Sequence, residues 1–170
     1  MKQTLYAYVI GGVALAVLAG SACSDSSSPP GEPGANVPII RLRAEPYSFA
    51  FYSGLDKPDR IVIRDPVAWQ IVWKRVWFGS SEVPPLPAVD FSREMILVAA
   101  LGARSTGGFG ILIDGANEVA NGGINVTIRS FSPGNCIVTE AFTQPIDIAR
   151  LPMRSGTVEF TERSEVHQCQ

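Results

Sequence analysis

Met95-Ile96-Leu97-Val98-Ala99-Ala100-Leu101 is the most apolar run beyond the amino-terminal segment. A strand built from it has no face suited to water, so it predicts a central strand covered on both sides. Gly102-Ala103-Arg104-Ser105-Thr106-Gly107-Gly108-Phe109-Gly110 follows, and Ile111 and Ile113 then alternate in step with Phe109. Glycine reaches positive φ without a Cβ clash, so Gly107-Gly108 permits a sharp turn or bulge between two core strands. The alternation turns Phe109 inward with Ile111 and Ile113. Arg104, Ser105, Thr106, Gly107, Gly108 and Phe109 are the candidate partner-binding residues. The rim from Arg104 to Thr106 is the part left over once the glycines are given a structural role.

Upstream of that run lies the one good helix signal. Asp65 suits an N-cap and Pro66 the first helical position. Trp69, Val72, Trp73 and Val76 recur at i, i+3, i+4 and i+7, which predicts one apolar stripe on a helix over about 65–78. Lys74 and Arg75 sit near its end, where cations suit the helix dipole, and Gly79 ends it. Two tryptophans on one stripe belong to a core more often than to a sugar or ligand platform. The connector from Ser80 to Pro87 is proline-rich.

The remaining segments read as short strands and turns: 39–43, 47–52, 60–64, 109–113, 124–128, 137–143, 146–151 and 158–160. Lys57-Pro58-Asp59, Asp114-Gly115 and Asn121-Gly122-Gly123 are turn signals, and Pro145 and Pro152 break strands. The expected fold is mainly β: an antiparallel β-sandwich or curved sheet with one packed α-helix.

The amino terminus has a different character. Met1-Lys2 starts it, Leu5 to Ala19 is apolar, aromatic or glycine throughout, and Gly20-Ser21-Ala22-Cys23 follows. That order is a secretory signal, and its ending on a cysteine resembles a bacterial lipoprotein signal peptide over residues 1–22. The resemblance implies an acylated Cys23 inserted in the lipid bilayer, although Gly20 stands where the pattern prefers leucine. An uncleaved transmembrane anchor of about 18 residues is the alternative. Residues 23–36 are rich in serine, proline and glycine and cannot offset their ordering entropy by burial, so they read as a disordered tether. Ser24, rather than aspartate, resembles the sorting signal for the outer membrane of two-membrane bacteria. The folded body is expected over 37–170.

The chain carries 18% charged residues, a formal net charge of −2, one histidine and three cysteines. Such a balance offers no basic patch for nucleic acid. An exported chain with Cys136 and Cys169 left over favours a disulfide between them, closing a loop of roughly 34 residues and stabilising by about 3–4 kcal/mol. Cys136, His167 and Cys169 supply three metal ligands at best, so no metal and no cofactor is expected. No serine forms a nucleophile elbow and no phosphate-binding or dinucleotide fingerprint is present. Asp90, Glu94, Asp114, Glu118, Glu140, Asp147 and Glu159 are scattered, and nothing in their spacing pairs them. The reading is of a chain that is not an enzyme.

Asp90-Phe91-Ser92-Arg93-Glu94-Met95-Ile96-Leu97, Thr106-Gly107-Gly108-Phe109, Cys136-Ile137-Val138-Thr139 and Thr143-Gln144-Pro145 together resemble the PrcB carboxyl-terminal domain. Trp69, Trp73 and Tyr52-Ser53-Gly54 add to the match, which spans about Tyr52 to Phe160. The family's namesake is a lipoprotein associated with a surface subtilisin-like protease complex. The resemblance implies a non-catalytic accessory or binding domain on the cell envelope; it names a secreted or surface protease complex as a partner class without implying that this chain has one. Phe109 stands where the family's motif has tyrosine, so no phenolic hydroxyl acts there. Ser105-Thr106-Gly107-Gly108-Phe109 is also similar to the Thr-Thr-Gly-aromatic loop of chagasin-like peptidase inhibitors, with an extra glycine and without the preceding Asn-Pro. That likeness implies the alternative role, an inhibitor acting through the loop 102–110.

Overall fold

The computed structural model describes residues 34–42 and 53–168. The expected signal segment, Cys23, the strand expected over 47–52 and Cys169 lie outside the described residues.

The element order is β1 (Ile40–Arg41), β2 (Pro58–Ile63), α1 (Pro66–Val76), β3 (Glu94–Leu101), β4 (Gly110–Glu118), β5 (Ile124–Pro133), β6 (Ile146–Pro152) and β7 (Val158–His167). One sheet has the order β1-β6-β3-β2 and the other β4-β5-β7. Among the described residues the fold is mainly β, in two sheets with one α-helix and no closed barrel.

β3 explains the arrangement. Its alternate side chains Met95, Leu97, Ala99 and Leu101 enter the core between the sheets, against Ile111, Ile113, Val126 and Ile128. Ile96, Val98 and Ala100 enter a second core under α1, with Trp69, Trp73, Val76, Trp77, Ile146 and Ile148. Helix, four-stranded sheet and three-stranded sheet therefore form three layers, and the apolar run of β3 is the middle one.

The helix forms as its sequence dictates. The Asp65 carboxylate accepts from the Ala68 N–H at 2.8 Å, Pro66 opens the first turn, and Lys74 and Arg75 occupy the last. Trp69 and Trp73 are buried core residues, with ring centroids 5.2 Å apart. Their indole N–H groups donate to the carbonyls of Pro87 (3.1 Å) and Pro84 (2.9 Å), so the two tryptophans hold the proline-rich connector against the helix.

Several expectations need correction. Asp114-Gly115 is no hairpin turn: β4 runs through it, with a register shift between Ile113 and Gly115 that marks a bulge. The bulge frees the Ile113 backbone for other partners. Asp147 accepts from its N–H at 2.8 Å and the Arg41 guanidinium donates to its carbonyl at 2.7 Å, while Arg41 and Asp147 pair at 3.2 Å. This knot ties β1, β4 and β6 together, and its burial raises the Asp147 pKa above the ordinary aspartate value despite the nearby Arg41.

Second, residues 137–143 form irregular backbone rather than a strand. Third, Lys57-Pro58-Asp59 is not wholly a turn, since β2 begins at Pro58. Fourth, the polar stretch from Thr161 extends β7 to His167, and β7 lies parallel to β5. Beyond Phe160 this edge strand is exposed on both sides and carries no apolar alternation, so the sequence marks a strand only over 158–160. Arg60 of β2 pairs with Glu162 of β7 at 2.8 Å, closing that side between the sheets.

Asn121-Gly122-Gly123 does form the β4–β5 connection, with Asn121 and Gly122 at φ 60 and 68. Gly34, Ala35 and Asn36, expected in the tether, already run along β4. Gly34 N–H donates to Glu118 O (2.7 Å), Glu118 N–H to Ala35 O (2.8 Å) and Val37 N–H to Ala116 O (2.8 Å).

Candidate functional site

The loop from Gly102 to Phe109 carries the chain from β3 in one sheet to β4 in the other. Gly102 turns at φ +79, where a Cβ would stand 2.8 Å from the Pro58 ring. Gly108 has φ +81, and a Cβ there would lie 2.6 Å from Val138 Cγ1 and 2.9 Å from Pro133 Cβ. Gly107 is buried and donates to Thr139 O at 2.9 Å. The glycines are therefore sites of close approach, with the segment 138–139 laid directly on them.

The rest of the loop is fixed by backbone bonds. Arg104 and Thr143 exchange N–H···O bonds of 2.8 and 2.9 Å, and the Thr143 hydroxyl donates to Thr106 O at 2.9 Å. Ala103 N–H donates to Asp56 O at 2.9 Å, and the Ser53 hydroxyl to Gln144 O at 3.0 Å. Gly54 N–H reaches Val76 O at 3.2 Å, at the end of α1. One pole of the molecule thus collects three loops, 53–57, 102–109 and 134–145, beside the helix carboxyl end.

The candidate residues divide on this pole. Gly107 is buried, and Phe109 is half-buried against the inter-sheet core with the Arg104 guanidinium 5.6 Å from its ring centroid. Ser105 is exposed and Arg104 and Thr106 are half-exposed. Beside them stand Ile137, fully exposed, and Phe142, 76% exposed. Those two apolar side chains are the reason residues 137–143 read as a strand, and their exposure is what sequence reasoning missed. A backbone committed to walling Gly107 and Gly108 cannot also turn Ile137 and Phe142 into a core.

Cys136 lies on the same loop, its sulfur 3.4 Å from the carbonyl oxygen of His167 at the end of β7. Elsewhere, several of the scattered carboxylates pair with arginines. Glu94 pairs with Arg150 (3.3 Å), Asp114 with Arg129 (2.8 Å) and Glu118 with Arg154 (2.5 Å). Asp90 accepts from the Ser92 hydroxyl and N–H, which lower its pKa. An open cleft of 480 Å³ is lined by Pro38, Ile40, Arg93 and Pro152 together with the Glu94–Arg150 pair. Among the described residues no cluster of His, Cys, Asp and Glu could hold a metal ion, and no helix is long and apolar enough to cross a membrane.

Residues 95–152 match the family model described as PrcB C-terminal. The match supports the resemblance read from the motifs, over a shorter span than Tyr52 to Phe160. It runs from β3 to β6 and contains both the glycine loop and the 134–145 loop laid on it. The motif segments Thr106-Gly107-Gly108-Phe109, Val138-Thr139 and Thr143-Gln144 thus meet in space at one pole. No curated protein and no solved structure matches the chain.

Proposed function

We propose that this chain is a non-catalytic, lipid-anchored accessory domain of the bacterial cell envelope, facing the periplasm or surface from the outer membrane. It binds an extracytoplasmic protein through the loop pole, and a secreted or surface protease complex is the partner class that the PrcB-like segment suggests. The observation that carries this reading is the pole itself: Ile137 and Phe142 project from a backbone fixed by the Arg104–Thr143 and Gly107–Thr139 bonds. A rigid base with exposed apolar side chains loses little conformational entropy on binding. Insertion of the loop into an active-site cleft is the less favoured reading, because Gly107 at its centre is buried and donates to Thr139 O.

The test is affinity capture from native envelopes with the full lipoprotein as bait. The parent is expected to retain a defined set of proteins. Arg104→Ala with Thr106→Ala is expected to weaken their capture, and Ile137→Ser with Phe142→Ser to reduce it at least tenfold, as loss of about 1.4 kcal/mol or more would give. Exposed positions should leave folding intact. Equal capture by parent and both variants would remove the pole from the function.

We also propose that Cys136 pairs with Cys169. What supports the pairing is that the Cys136 sulfur lies 3.4 Å from the carbonyl oxygen of His167, two positions before Cys169. The bond would anchor the carboxyl end of β7 to the loop that backs the glycines. Thiol titration of the denatured, unreduced mature protein is expected to find none; two free thiols would refute the pairing.

A further inference from the structure

The inner stripe of α1 is spent on the core, but its outer face is also apolar. Val67 is 66% and Ile71 63% exposed, and Phe78, just past the helix end, is 83% exposed. Val67, Ile71, Lys74 and Phe78 stand at i, i+4, i+7 and i+11, one line along the surface. Lys74 and Arg75 are exposed on the same side, and α1 contains no carboxylate. The flanking carboxylate, Asp65, is exposed at the opposite end of the helix from Lys74 and Arg75, where it caps the Ala68 N–H. An apolar line with cations and without anions is complementary to an anionic lipid surface.

From these observations we infer that the outer face of α1 rests on the anionic phospholipid surface to which the chain is anchored. This rests on the lipid-anchored reading above. The reach of the tether agrees. Ser24 to Pro33 separate Cys23 from Gly34, and ten extended residues span at most about 35 Å. Gly34 is bonded to Glu118 on the three-stranded sheet, and the helix lies two layers away at about 10 Å per layer. The tether therefore lets the helix side reach the bilayer. The cation of Lys74 lies near the headgroups while Val67, Ile71 and Phe78 enter the boundary region.

Beyond Lys2, the chain has two lysines, Lys57 and Lys74. Both are exposed; Lys74 is on the helix, and Lys57 is in the loop 53–57 at the pole. The full acylated chain is reconstituted into protein-free vesicles of phosphatidylglycerol with phosphatidylethanolamine, or of phosphatidylcholine alone. It is then treated with a membrane-impermeant amine reagent and read by mass spectrometry. In the anionic vesicles Lys74 is expected to label about fivefold more slowly than Lys57, and in phosphatidylcholine the difference shrinks. Ile71→Glu with Phe78→Glu, both at exposed positions, restores Lys74 labelling. Anchored protein in which both lysines label alike in the two lipids overturns this inference and leaves the anchored reading standing. Failure of the chain to associate with either vesicle overturns both. Shielding of Lys74 that requires added envelope protein assigns the face to a protein partner and overturns the inference.

Discussion

Gly108→Val is expected to lower the free energy of unfolding by about 4 kcal/mol, read as a fall in the urea midpoint at unchanged slope. Two costs combine. A β-branched residue at φ +81 carries left-handed strain of about 1–2 kcal/mol. Its side chain also begins within 3 Å of Val138 and Pro133, and overpacking of that kind costs about 1–3 kcal/mol. The change lies at the contact between the loops 102–109 and 134–145, so binding at Ile137 and Phe142 should fall with stability. Gly115→Ala is the control, since nothing lies within 4 Å of a Cβ there and its φ is not positive. Its expected effect is within about 0.5 kcal/mol. If Gly108→Val unfolds within about 1 kcal/mol of the parent, the glycine pair is not a close-approach device and the pole is softer than its hydrogen bonds imply.

Trp69→Ala is expected to cost about 4 kcal/mol, as large aromatic deletions in cores do. Trp69 is 1% exposed, packs on Trp73 and donates its indole N–H to Pro87 O. The alanine leaves a cavity under the helix, and the connector loses one of its two indole clasps. Trp69→Phe keeps most of the ring and loses the hydrogen bond, and should cost about 1–2 kcal/mol. Limited proteolysis separates the two effects. In both variants cleavage should rise between Gly79 and Pro87, whereas global stability should fall steeply only in the alanine variant. Unchanged cleavage of the connector in both would show that Pro84 and Pro87 are held by something other than the indoles.

The sequence was legible where local chemistry and burial point the same way. Asp65, Pro66 and the tryptophan spacing locate α1 to within its cap, and the unbroken apolarity of Met95 to Leu101 locates the strand shared by two cores. Asn121-Gly122 gives its turn because both positions need positive φ. Legibility failed where a segment serves a neighbour rather than itself. Asp114-Gly115 has turn composition, yet its extra residue makes a bulge that presents Ile113 to Asp147 and Arg41. Residues 137–143 have strand composition, yet their backbone is committed to the glycine loop. β7 gave an apolar signal only over 158–160, because beyond Phe160 this edge strand is exposed on both faces. The candidate site shares this history. Arg104 to Phe109 could be located from the glycines, but Ile137 and Phe142 became part of it only through the fold.

β5 and β7 are neighbours in one sheet, while β6, which lies between them in sequence, belongs to the other. The chain therefore leaves the three-stranded sheet, completes the four-stranded one and returns. Neither sheet can form without the other, and the two have no cut point between them. The segment matched by the family model ends at Pro152, before β7, and begins at Met95, after β2 and α1. Excised alone, it would expose the edge of β5 that pairs with β7 and the whole helix-facing core. What is shared with the family is thus the middle of a cooperative unit: a recognisable stretch of sequence, but not a transplantable module.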